Sequence, residues 1–127
     1  MSDNDLTLRD RLELIESAVL QWPGVTQEPG RFNSTAYMLG RREIGHIHRN
    51  GVADFGFPRA LRDELITTGQ AQPHQAGIPA GVSHPIGIAE DVPRVLSLFR
   101  LSYDRLRAAA TRAETTSQAS PNEPSAD

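Results

Sequence analysis

His46 and His48 stand two residues apart in the stretch RFNSTAYMLGRREIGHIHRNGVADFGF, residues 31–57. If that stretch is β-structure, alternation puts both imidazoles on one face of a strand. Such a pair has two kinds of chemistry open to it. An imidazole titrates near neutral pH, so either ring can take a proton from an acidic hydroxyl. Two imidazoles on one strand can also chelate a metal ion, provided that His74, His84 or Asp54 supplies a third donor. The plainer alternative is structural, with a half-buried His46 hydrogen-bonded to Thr35 and an exposed His48 near a turn.

The elements that must position these rings are marked by two turn signals, Gly40-Arg41 and Asn50-Gly51. Read as two-residue hairpin loops, the second of type I′, they fix the register. His46 then faces Thr35 and Phe55, His48 faces Asn33 and Ala53, and Ile44 faces Tyr37 and Phe57. One face thus grades from apolar to polar, the mixed lining of a small-molecule pocket. The other face carries Ala36, Gly45 and Gly56, flanked by Met38 and Ile47, a row of small residues that either lets a helix pack close or leaves a cavity. In this register Asp54 pairs with Ile47, away from the histidines, and reads as a solvated or helix-capping carboxylate. Without a convincing third ligand, the expectation is a site with no metal. His74 and His84 lie in or beside the proline-punctuated segment QAQPHQAGIPAG, 70–81, which is long enough to fold over the sheet.

Around these strands the chain alternates helix and strand signals. Thr7 suits a helix N-cap, and Leu12, Ile15, Ala18, Val19 and Trp22 follow at helical spacing until Pro23-Gly24 breaks the helix. Val25 to Gln27 can form a short strand, and the hairpin strands are expected at 32–39, 42–48 and 52–57. Pro58 opens a second helix through Leu61, Leu65 and Ile66, ended by Gly69. Val82 to Ile88 reads as a strand in which Pro85 marks an edge or a bulge. A long helix starts near Glu90-Asp91-Val92-Pro93, with Val92, Val95, Leu96, Phe99, Tyr103 and Leu106 as its apolar stripe. The pattern is α+β: an antiparallel meander sheet of four to five strands, packed with N-terminal, middle and C-terminal helices. One domain spans 1–114, and the tail 115–127, with nothing larger than alanine to bury, reads as disordered.

Composition removes several classes of function. There is no cysteine, which rules out disulfides, thiolate metal sites and cysteine nucleophiles. No apolar run is long enough to span a bilayer and no apolar signal region opens the chain, so a soluble, cytoplasmic protein is expected. All 13 basic residues are arginine, but the formal net charge is -3, which argues against nucleic acid as the partner. The last helix spreads Arg94, Arg100, Arg105, Arg107 and Arg112 over several faces. No nucleophile elbow, phosphate loop or H-E-x-x-H motif is present. Ser83 and His84 are chain neighbours and point to opposite faces of a strand, so they form no nucleophile-base pair.

The run RFNSTAYMLGRREIGHIH, then DFGFPR before a helix, then LFRLSYDRLR, resembles the small luciferase-domain family, related to the luciferase of bioluminescent fungi, over about residues 28–107. The resemblance implies a cofactor-independent oxygenase acting on a hydroxylated pyrone, with Tyr37, His46 and His48 facing the ligand and a histidine as general base. A second resemblance, to small α+β proteins of the MmcQ/YjbR type, rests on Trp22-Pro23-Gly24-Val25 and Ser102-Tyr103. Some of those proteins are described as DNA-binding. The combined expectation is a small planar or phenolic ligand in a pocket over the hairpin, with His46 and His48 catalytic. Asn33, Thr35, Tyr37, Phe55 and His84 would bind the ligand, and no cofactor is expected. A non-catalytic interaction module is the alternative, and a nucleic-acid-binding protein the third reading.

Overall fold

The fold is described from a computed structural model, which covers residues 6–74 and 77–119. Helix α1 (Leu8–Leu20) opens with a reciprocal cap: the Thr7 hydroxyl accepts from the Asp10 N–H and the Asp10 carboxylate accepts from the Thr7 N–H. Gly24, at a φ of 84°, turns the chain into β1 (Val25–Pro29). Strands β2 (Ser34–Leu39), β3 (Arg42–His48) and β4 (Val52–Gly56) follow as a meander. Pro58 precedes α2 (Arg59–Thr67), where its missing N–H costs no helical hydrogen bond. The two-residue β5 (Gln72–Pro73), inside the segment expected to be irregular, leads to β6 (Gly81–Pro85) and α3 (Asp91–Ala119).

The sheet is antiparallel in the order β1-β2-β3-β4-β6-β5, one strand more than the sequence implies. Strand β5 pairs only with Ser83 and Val82, so β6 has no outer neighbour at Pro85, as the proline requires. One sheet face packs on α1 and α3. Its core includes Ile15, Val19, Tyr37, Ile44, Ile47, Phe55, Val82, Phe99 and Tyr103. Helix α3 continues through 115–119, which the sequence places in the tail; residues 120–127 of that expected tail lie outside the described residues.

Two departures from ideal hairpins change the register. The Gly40-Arg41 loop does hold two residues, with Leu39 opposite Arg42 and Met38 opposite Glu43. Beyond it Ile44 is an extra residue on β3, so Tyr37 pairs with Gly45 and Ala36 with His46. A bulge of this kind puts Ile44 and Gly45 both on the core side. The β3–β4 loop is one residue longer than expected: His48 pairs with Val52, leaving Arg49–Gly51 as the turn. Only Gly51, at a φ of 95°, takes a left-handed conformation there, so this is not the type I′ turn that Asn50-Gly51 suggests.

Candidate functional site

The bulge and the longer turn together correct the expected face. His46 now stands opposite Ala36 on one side and Asp54 on the other, and Asp54 stands opposite Ser83. The row Ala36, His46, Asp54, Ser83 crosses β2, β3, β4 and β6 on the sheet face turned away from α1 and α3, and His48 shares that face. Asp54, expected on the far side, is therefore at the centre of the histidine cluster.

Its geometry is tight. Asp54 is only 4% exposed, and its Oδ2 lies 2.8 Å from His48 Nε2, 3.2 Å from His46 Nε2 and 3.4 Å from His74 Nε2. The other oxygen, Oδ1, accepts the Ser83 hydroxyl at 2.5 Å. His46 Nδ1 reaches Glu43 Oε2 at 2.7 Å, so this ring has a carboxylate at each nitrogen. Carboxylates only accept, so Nδ1 donates to Glu43, and the Asp54 carboxylate beside Nε2 favours the protonated ring. The Glu43 hydrogen bond is the largest influence holding the His46 pKa above its ordinary value, against the opposing effect of burial, with the Asp54 charge adding to the rise. Burial pushes Asp54 the opposite way, toward protonation. The Ser83 and His48 hydrogen bonds and the charges of His74 and His46 outweigh it and hold the carboxyl below its ordinary range.

Above the cluster is a cleft of about 630 Å³. His46, His48, Asp54 and His74 form its polar part, while Ala36, Met38, Phe32 and Ile78 supply apolar wall. Phe32 is 85% exposed and Ile78 52% exposed, two large apolar side chains left in water at one cleft. Phe32 and Asn33 both adopt left-handed backbone, at φ 55° and 59°, an arrangement that costs about 1–3 kcal/mol for residues with a Cβ and is concentrated at functional sites.

Of the expected site residues, His46 and His48 do come together, and the 70–81 segment does reach them through His74 and Ile78. Tyr37 and Phe55 do not share their face: the bulge turns Tyr37 to the core side, and the longer β3–β4 turn does the same for Phe55. Tyr37 donates to Glu16 Oε2 at 3.0 Å, and the Phe55 ring packs 4.7 Å from that of Phe99. Thr35 pairs with Ile47 on the α1 side, so it is no partner for His46. His84 pairs with Ala53 on that same inner face, its Nδ1 donating to its neighbour's carbonyl at Pro85 (2.7 Å). Asn33 lies in the loop before β2, where its carbonyl accepts from the Arg49 N–H. The expectation weighed Asp54 but set it on the far face, and it missed Ser83 and Glu43 as partners of the cluster. One signal was available: a carboxylate inside the otherwise apolar strand VADFG is rarely buried without a partner.

A second concavity, of about 600 Å³, lies at the β2–β3 turn and α3, where Arg41, Arg42, Arg105 and Arg112 line one groove. The arginines that look scattered along the sequence are thus partly gathered in space.

Fold and site together describe a small α+β domain with a histidine–aspartate cluster on one sheet face beneath a cleft. Residues 41–102 match the family model of the Luciferase domain, and the match spans all the residues of the cluster. No curated protein and no solved structure matches the chain. The comparisons lend nothing to the MmcQ/YjbR likeness. No helix among the described residues is long and apolar enough to cross a membrane.

Proposed function

We propose that the protein binds a small planar hydroxylated ligand in the cleft and that the cluster handles the ligand's proton. The observation that carries this reading is the cleft itself, a polar His46–His48–Asp54 floor beside the exposed apolar Phe32, Met38 and Ile78. With His48 donating Nε2–H to Asp54, its Nδ1 keeps a lone pair, and His48 is the proton acceptor. His46, as imidazolium, then faces the oxyanion with a positive charge. The match to the Luciferase domain supports oxygenation of such a ligand as the reaction, and a binding module without turnover is the same site without that step. The test is calorimetric titration with hydroxylated pyrones and phenols, alongside an oxygen-consumption assay. His48→Ala and Phe32→Ala are expected to weaken binding; unchanged affinity in folded variants would remove the cleft from the function.

The arginine groove favours a second reading, binding of a polyanion. Retention of RNA or single-stranded DNA at low salt, lost on Arg41→Ala with Arg105→Ala, would support it.

A further inference from the structure

We infer that the cluster is a site for one divalent first-row transition ion, held by His46 Nε2, His48 Nε2 and Asp54 Oδ2, with His74 Nε2 beside them. The proposal stands on donor geometry and does not depend on which organic ligand fills the cleft; with the ion bound, His46 and His48 give up their Nε2 protons, and the proton-handling roles above belong to the metal-free cleft.

The donor atoms of His46, His48 and Asp54 all lie within 4.8 Å of one another. Four donors at about 2.0–2.1 Å around a tetrahedral ion stand about 3.3 Å apart. The separations of the three imidazole nitrogens from Asp54 Oδ2, 2.8, 3.2 and 3.4 Å, bracket that edge. An ion also resolves a crowding problem. A carboxylate oxygen offers two lone pairs, and here three Nε2 atoms converge on one oxygen. An ion held by His46, His48 and Asp54 would replace their competing N–H donors by coordination.

The surrounding residues fit the same reading. Metal-binding histidines usually donate their second ring nitrogen to a carboxylate, which fixes the tautomer and raises ligand basicity. Glu43 holds His46 Nδ1 in that way, leaving Nε2 turned to Asp54. Ser83 occupies Asp54 Oδ1 and leaves Oδ2 for the ion. Three donors come from the two central strands β3 and β4, whose hydrogen bonding fixes their spacing, and His74 comes from outside that pair. Two imidazoles and a carboxylate suit zinc, iron or manganese, and a three-ligand set leaves a position open toward the cleft. An ion there would act as a Lewis acid on a ligand hydroxyl.

The experiment uses tag-free, full-length protein stripped with EDTA and titrated with Zn²⁺ alone by calorimetry, with Co²⁺ absorption as a report on coordination. We expect one equivalent per chain, a rise in melting temperature on adding Zn²⁺, and cobalt bands in the visible range. His48→Ala should abolish all three, and Glu43→Gln should weaken Zn²⁺ binding by about 10-fold or more, as loss of a supporting hydrogen bond does. Asp104→Asn, an exposed carboxylate on α3, should change nothing. Absence of one-equivalent binding in the wild type, or equal binding in His48→Ala and Glu43→Gln, would overturn the site. Ligand titration of the EDTA-stripped protein separately tests the reading of the cleft, so either can fail alone.

Discussion

Tyr37 and His46 are near neighbours in space but do opposite work, because a strand sends its side chains to both faces. The Tyr37 phenol donates to Glu16 inside the core, and burial, followed by the Glu16 carboxylate, raises its pKa above the ordinary tyrosine value. A raised folded pKa means that this contribution is fully present below the unfolded value of about 10 and is lost as pH rises through the folded one. Urea denaturation is therefore expected to show stability falling above about pH 10. In Tyr37→Phe that alkaline loss should shrink, while stability near pH 8 drops by about 1 kcal/mol for the missing hydrogen bond. An unchanged alkaline profile in the variant would mean that another group sets it.

Among the elements, the bulge on β3 and the longer β3–β4 turn together decide the site, and α3 holds the bulge. The Ser102 hydroxyl donates to the Ile44 carbonyl at 2.7 Å, satisfying a buried acceptor that the extra residue takes out of regular pairing. Ser102→Ala should cost about 1–3 kcal/mol, read as a lower urea midpoint, since the carbonyl is left buried without that partner. On the bulge itself, a Cβ at Gly45 would meet the Phe55 ring at 2.7 Å, so β3 can lie against the core only with glycine there. The β3–β4 turn has its own requirement. Gly51→Val places a β-branched residue at a φ of 95° and its Cβ 2.9 Å from Leu8 Cδ1. A loss of about 1–3 kcal/mol in thermal unfolding is expected, and a wild-type melting curve would count against the turn as described.

At the scale of the whole molecule, the core ends well before the chain does. Tyr103 is the last fully buried large side chain, its hydroxyl donating to the Pro23 carbonyl at 2.6 Å, and Leu106 still packs on the core. From residue 110 to 114 every side chain is exposed. Truncation after Glu114 is expected to leave the melting temperature unchanged within error, because the core contacts end near Leu106 and the side chains of 110–114 are already exposed. A clear fall would show that residues 115–127 contact the domain.

Apart from β5, the helices, strands and their order along the chain were legible in the sequence because each rests on local signals: the Thr7 cap, the Pro23-Gly24 and Pro58 breaks, and the period-two pattern of 42–48. The pairing of His46 with His48 on one face was legible for the same reason, since alternation within a strand needs no neighbour. Which residues meet them across the strands was not. That depends on one extra residue at Ile44 and one more in the Arg49–Gly51 turn, and neither has a local signature strong enough to read. A register shift of one residue exchanges the faces of the partner strand. It sends Tyr37 and Phe55 to the core and brings Asp54 and Ser83 to the histidines. The sequence by itself determined the elements and the imidazole pair; tertiary structure decided what surrounds that pair, because side-chain neighbours across a sheet are set by non-local pairing.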